Sequence, residues 1–247
     1  MVTRFEVLCS WIGFPIYAWQ GLKTRRKIVR MNPPPHSGWI TAKSRKSKNR
    51  NPVRILVVGD SSAAGVGVST IDESLAGHLA PALVKLLNRD IHIRIAGMNS
   101  ATSADIRDHV VRHIERDAFD FIALNLGTND AKNFHSGRRF CREFGTLLYA
   151  LKARFPSATI VWAGVINLAE VPALPKPLNK ILGIRSRIIN RNGKILCEER
   201  GALAPMSTWR TVRENFAEDG FHASSQGYRE WAEDLAHFLA QLRQVKP

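Results

Sequence analysis

The chain is short of cysteine, of long apolar runs and of the glycine signatures that bind nucleotides. Cys9, Cys141 and Cys197 are far apart, odd in number and form no Cys-x-x-Cys pair. That spacing supports neither a disulfide framework nor a zinc knuckle. The uncharged stretch from Val7 to Leu22 is interrupted by Gly13 and Pro15. It falls short of the roughly 20 residues a spanning helix uses. Only Arg4 precedes it as basic charge and no small-x-small site follows, which argues against a cleaved secretory signal. Gly65-Val66-Gly67 lacks the third glycine of a dinucleotide fingerprint, and no Gly-Lys-Ser/Thr phosphate loop occurs. His109 and His113 stand four apart, but Val110 occupies the position where the zinc-protease pattern carries glutamate. No cofactor and no metal are expected.

Acidic residues are also scarce, 21 against 36 Lys and Arg, for a net charge of +15. The excess is not spread evenly. Met1 to Arg54 carries 12 of the basic residues and one acid, Glu6, whereas the rest of the chain is nearly balanced. Residues 1–31 therefore read as an apolar and basic leader, in which Trp11, Tyr17 and Trp19 precede Lys23, Arg25, Arg26, Lys27 and Arg30. Two placements suit it: lying on an anionic membrane surface, or packing as a helix against its own domain. An uncleaved anchor fits less well, so the expected location is cytoplasmic, and peripheral to a membrane under the first of those two placements. Residues 32–51, with Pro33-Pro34-Pro35 and a Lys/Arg/Ser-rich tract, read as an irregular linker. That tract has no interleaved aromatics, so nucleic acid is not an expected partner.

Residues 52–247 form the body. At 45% apolar and 23% charged residues, the 247-residue chain is globular in composition and can bury one full core. Short β-branched runs alternate with amphipathic stretches. Strands are expected at 53–58, 91–96, 119–126 and 158–166, with a short last one at 202–205. Helices are expected at about 75–88 (opened by a Thr70/Glu73 capping box), 103–115, 140–155, 178–200 and 225–242. Strands separated by helices of ten or more residues imply right-handed crossovers and a mostly parallel sheet covered on both faces. In such sheets the site lies beyond the carboxyl ends of the strands.

The chemically able residues follow those strand ends: Gly59-Asp60-Ser61-Ser62, Gly97-Met98-Asn99-Ser100, Gly127-Thr128-Asn129-Asp130 and, before the last helix, Asp219-Gly220-Phe221-His222. A serine hydroxyl becomes a competent nucleophile when a base takes its proton, and histidine suits that role near neutral pH. A carboxylate three residues from the histidine can hold its other ring nitrogen. An asparagine amide and main-chain N–H groups can hold a developing oxyanion.

Gly59-Asp60-Ser61, Gly127-Thr128-Asn129-Asp130 and Asp219-Gly220-Phe221-His222 resemble the first, third and fifth blocks of the SGNH (GDSL-type) hydrolases, in the family's order, across residues 53 to about 243. Ser62 to Val68, and Gln20-Gly21 followed by basic residues, resemble a bacterial branch. The resemblance implies an α/β/α three-layer, flavodoxin-like fold with a mostly parallel sheet of about five strands. It implies a serine esterase working through a covalent acyl-enzyme, with Ser61 as nucleophile, His222 as base and Asp219 as its orienter. Its oxyanion hole would come from the Ser61 N–H, Asn129 and a second-block N–H. Ser100 stands where the family usually has glycine; its N–H can serve if the backbone adopts the required conformation, and Gly97 is the donor under a shifted register. The implied partner is a small-molecule or lipid acyl ester. A carbohydrate O-deacetylase or a thioesterase would use the same triad. A non-catalytic module, associated with membrane or nucleic acid through the leader, is the reading outside enzymology. Oligomeric state is not legible.

Overall fold

The computed structural model describes residues 4–27, 30–45, 51–205 and 209–245. Residues 46–50 of the Lys/Arg/Ser tract lie outside them. The strands are β1 (Trp39–Ala42), β2 (Val53–Gly59), β3 (Ile91–Gly97), β4 (Phe121–Asn125) and β5 (Thr159–Trp162), in the spatial order β1-β3-β2-β4-β5. β2 to β5 pair in parallel, and β1 runs antiparallel on the outer edge of β3. The helices are α1 (Arg4–Ile12), α2 (Phe14–Lys27), α3 (Leu75–Leu87), α4 (Ser103–Asp105), α5 (Thr128–Lys132), α6 (Gly137–Arg154), α7 (Leu178–Glu199) and α8 (Ser225–Val245).

β2 shows why an uninterrupted apolar run makes a central strand. Val53, Ile55 and Val57 share a core with Leu79 and Leu83 of α3 and with Tyr228 and Leu239 of α8. Leu56 and Val58 point the other way, into a core with Phe140, Phe144 and Leu147 of α6 and Ile189 of α7. Both faces are covered, so the period-2 alternation disappears from the sequence. The result is the expected three-layer α/β fold.

Several local expectations are corrected. Residues 39–42, expected to be irregular linker, are the edge strand. Ile40 and Ala42 pack against the core on the α3 side, and the Trp39 ring lies within 6 Å of the Arg54 and Arg94 guanidinium carbons. The segment covers the otherwise open edge of β3. Residues 202–205 form no strand; Leu203 alone bridges Val161. The Thr70/Glu73 capping box does not open α3. Thr70 precedes a 3₁₀ turn that Glu73 ends, and Ser74 is the cap of α3, accepting the Gly77 N–H at 3.2 Å. The helix expected over 103–115 is one α turn, capped by Thr102 and Asp105, then a π-type turn over Ile106–Val110 and a 3₁₀ turn over Val111–His113.

The leader's inner face packs on the body. Gly13 lets α2 begin so close to α7 that an added Cβ would lie 2.7 Å from Ile181 Cδ1. Trp11, Phe14 and Tyr17 surround the Phe134 ring at centroid distances of 5.0, 5.4 and 4.6 Å. Beneath them Arg185, 1% exposed, stacks between Trp11 and Phe134 and donates to the His135 carbonyl. The leader therefore covers a buried guanidinium whose desolvation would be costly without these ring faces.

Candidate active site

β2 ends under the sheet's carboxyl rim, and the chain there turns sharply through Ser61–Gly67. The Asp60 N–H is bound by the Asn125 carbonyl at 2.9 Å, and the Met98 N–H by the Gly59 carbonyl at 2.9 Å, so neighbouring strands hold both sides of the turn. Within it Ala64 N–H donates to the Asp60 carbonyl and Val66 N–H to the Ser61 carbonyl. Ser62 donates both its N–H and its hydroxyl to Asp60 Oδ1, at 3.0 and 2.9 Å. Burial pushes the Asp60 carboxyl up from its ordinary range, with the Ser62 bonds and the nearby Lys132 and His222 pulling the other way. Tyr228, buried in α8, ties the turn from behind by donating to the Val66 carbonyl at 2.7 Å. Gly97 makes the close approach possible: a Cβ there would lie 2.2 Å from the Ala64 nitrogen.

The second block follows β3. Ser100 is exposed and has φ +63, a left-handed conformation that favours glycine. The backbone at Ser100 thus takes a form that glycine adopts without steric cost. Gly97 is still inside the strand, in register with Gly59. The third block follows β4, where Gly127, at φ +117, turns the chain into α5. Asn129 is buried on the first turn, and its Nδ2 donates to the Ala101 carbonyl at 2.9 Å. That bond joins the second and third blocks and uses one of two amide hydrogens.

Asp219 and His222 are brought into direct contact. His222 Nδ1 lies 2.6 Å from Asp219 Oδ2, and Asp219 Oδ1 accepts the backbone N–H groups of Phe221 and His222 at 2.8 and 3.0 Å. Gly220, at φ +67, makes this tight loop possible. Burial pushes the Asp219 carboxyl up, but the His222 and backbone hydrogen bonds together outweigh it and hold it below the ordinary value. The loop abuts the Ser61 turn, since a Cβ on Gly67 would lie 2.3 Å from the Ala223 carbonyl oxygen and 3.1 Å from His222 Cβ. Asp219 has no exposed side-chain surface, whereas His222 keeps 18%. The Ser61 hydroxyl itself makes no hydrogen bond among the described residues.

Behind the rim lies a cluster that the motifs did not indicate. Asp130 Oδ2 accepts the Ser103 N–H and hydroxyl, both at 3.1 Å, while His135 Nδ1 lies 3.1 Å from Asp130 Oδ1 and 3.3 Å from Glu143 Oε2. Arg139 donates to Glu143 Oε1 at 2.8 Å. Three buried groups of this kind could hold a cation. Here the His135 ring and the Arg139 guanidinium already face the carboxylates, and Asp130 is occupied in tying α4 to α5. Sequence spacing offers no signal for this cluster, because its members come from three elements. His109 and His113 are exposed and belong to no such group. A cavity of about 370 Å³ beyond β5, lined by residues such as Trp162, Asn190, Lys194 and Trp209, contains none of Ser61, Asp219 or His222.

Comparison with known proteins identifies the family and the fold. The family model described as GDSL-like Lipase/Acylhydrolase matches residues 57–230, well over half of the chain. Among curated proteins no relative matches. Solved structures with the same fold include a lipase/acylhydrolase from Enterococcus faecalis (14% identity, TM-score 0.58, 76% of this chain and 96% of that one). A carbohydrate acetylesterase from Sinorhizobium meliloti is similar at 16% identity and TM-score 0.58, over 76% of this chain and 99% of that one. An extracellular lipase from Streptomyces rimosus is similar at 14% identity and TM-score 0.56, over 76% and 99%. Among the described residues no helix is long and apolar enough to cross a membrane. With its motif blocks gathered at one sheet rim, the chain belongs to the GDSL-like lipase/acylhydrolase family and is an ester-hydrolysing enzyme.

Proposed function

We propose that the enzyme is a serine esterase in which Ser61 is the nucleophile, His222 the base and Asp219 its orienting acid, acting on acyl esters of small or lipid alcohols. The observation that carries this reading is the Asp219–His222 pair at 2.6 Å, on a loop packed against the turn that bears Ser61. A carboxylate at Nδ1 keeps the ring proton there and leaves Nε2 free as a base. Contact between the Ser61 hydroxyl and Nε2 forms as substrate binds, since catalytic hydrogen bonds are often long beforehand.

The Ser61 proton moves to Nε2 as the Oγ–carbon bond forms and the carbonyl electron pair moves onto oxygen. The donors for that oxyanion are the Ser61 and Ser100 N–H groups and the second amide hydrogen of Asn129. Collapse breaks the bond to the alcohol oxygen, which takes the proton from Nε2. Water then gives a proton to Nε2 and attacks the acyl carbon, and Ser61 leaves with that proton. The same constellation could deacetylate a carbohydrate or cleave a thioester, and turnover across a panel of aryl esters, acetylated sugars and acyl thioesters separates these substrates.

A fluorophosphonate is expected to add its mass to the Ser61 peptide. An adduct confined to another residue would overturn the assignment. Asn129→Ala is expected to lower kcat on an aryl ester by roughly 10²–10³, the usual effect of losing one oxyanion donor. An unchanged kcat in a folded variant removes Asn129 from that role.

A further inference from the structure

We propose that the outward face of α1 and α2 is a docking surface for an anionic lipid bilayer, and that it brings the catalytic rim to amphiphilic esters held there. Of the twelve large hydrophobic side chains exposed among the described residues, eight fall between Phe5 and Leu22. Phe5, Leu8, Ile12, Ile16, Trp19 and Leu22 recur at spacings of three and four, the period of one helix face. The stripe continues across the junction because Gly13 N–H bonds the Cys9 carbonyl and Tyr17 N–H the Gly13 carbonyl, each at 3.0 Å. Contiguous apolar surface of this extent marks an interaction site rather than ordinary scatter.

Charge selects the occupant. Exposed Lys23 and Arg26 follow the stripe, and Lys23 Nζ sits 5.2 Å from the Trp19 ring centroid. The leader's one acid, Glu6, is engaged by Arg187. A second copy of the same face would therefore bring cations and no available acid to the contact. An anionic headgroup layer over a hydrocarbon boundary supplies both partners that the face requires.

The face is also tied to the active site. Gln20 donates from Nε2 to the Lys176 carbonyl at 3.2 Å, and its Oε1 accepts the Leu178 N–H at 3.1 Å. On the same loop the Ala173 N–H donates to the carbonyl of Gly220, the residue between Asp219 and Phe221, at 3.1 Å. One loop thus links the docking helix to the turn that carries the base. The substrate class inferred, esters of bilayer amphiphiles, rests on the Ser61–His222 reading; the docking itself does not.

The test is flotation of the full chain with phosphatidylcholine vesicles, with and without phosphatidylglycerol. The wild type is expected to float with the anionic vesicles and to be released by salt. Ile12→Ser with Trp19→Ser should lower that binding by about tenfold or more, and Lys23→Glu with Arg26→Glu should remove the preference for phosphatidylglycerol. Both variants should keep the parent's melting temperature, because the replaced side chains already face water. Ser61→Ala should float like the wild type, which separates failure of docking from failure of the catalytic assignment. Failure of the wild type to float with anionic vesicles overturns the proposal. So does a wild-type dimer that the Ile12/Trp19 variant converts to a monomer, since the face would then be a contact between copies.

Discussion

Ser61→Ala is expected to lower kcat/KM on a short aryl ester by about 10⁴-fold or more while leaving the melting temperature unchanged. The hydroxyl makes no hydrogen bond among the described residues and the side chain is only half-buried, so its removal deletes no structural contact. The backbone N–H stays in place, and the turn is still held by Asp60, Ser62 and Tyr228. Any residual rate above water should then come from oxyanion donors and substrate binding alone. A folded variant that keeps a substantial share of parental turnover would move the nucleophile elsewhere. The paired measurement matters because loss of activity with loss of folding says nothing about chemistry.

Asp219→Asn is expected to cost a similar factor, about 10⁴ in kcat, by a different route. The amide oxygen can still accept the Phe221 and His222 N–H groups, so the loop geometry should survive. The amide nitrogen, however, would face Nδ1 as a donor and drive the ring proton to Nε2, where a base is needed. The acid response should change as well. Asp219 is held below the ordinary carboxyl value, so in the folded chain it stays ionised where an unfolded aspartate takes up a proton. That contribution to stability is complete above the ordinary carboxyl range and is lost as pH falls through the depressed value. The parent should therefore lose melting temperature more steeply in acid than Asp219→Asn. Equal acid slopes would show that the pair stores no stability. Asp60 runs in the opposite sense: its raised value favours the folded state in acid, and that share fades as pH rises through it.

The central strands were legible because each is a run of β-branched residues buried on both faces, and no partner is needed to see that. The candidate site blocks are legible because β2 and β4 end immediately before two of them, and because Asp219 and His222 are close enough in sequence to meet within one turn. β1 was not legible. Trp-Ile-Thr-Ala is too short to announce itself between prolines and a basic tract, and its stability comes from pairing with Ile91–Arg94, about fifty residues later. The cap of α3 was misplaced by four residues because both Thr70 and Ser74 suit the role. Only the local path of the backbone decides which oxygen meets an orphan N–H. Gln20 gave a sequence signal without a mechanism, since its two bonds are to backbone groups more than 150 residues away.

The sequence by itself determined the layered α/β architecture, the order of the candidate site blocks and the concentration of positive charge in the leader, because all three follow from local pattern and composition. Tertiary structure decided what local pattern leaves open. It set the left-handed backbone at Ser100, the bond from Asn129 to Ala101, the buried Asp130–His135–Glu143 cluster and the division of the leader into a packed face and an exposed one. Hydrophobic periodicity reports which residues leave water. It does not report which buried polar atom each will find there, and that pairing positions the donors, acid and base on which the proposed chemistry depends.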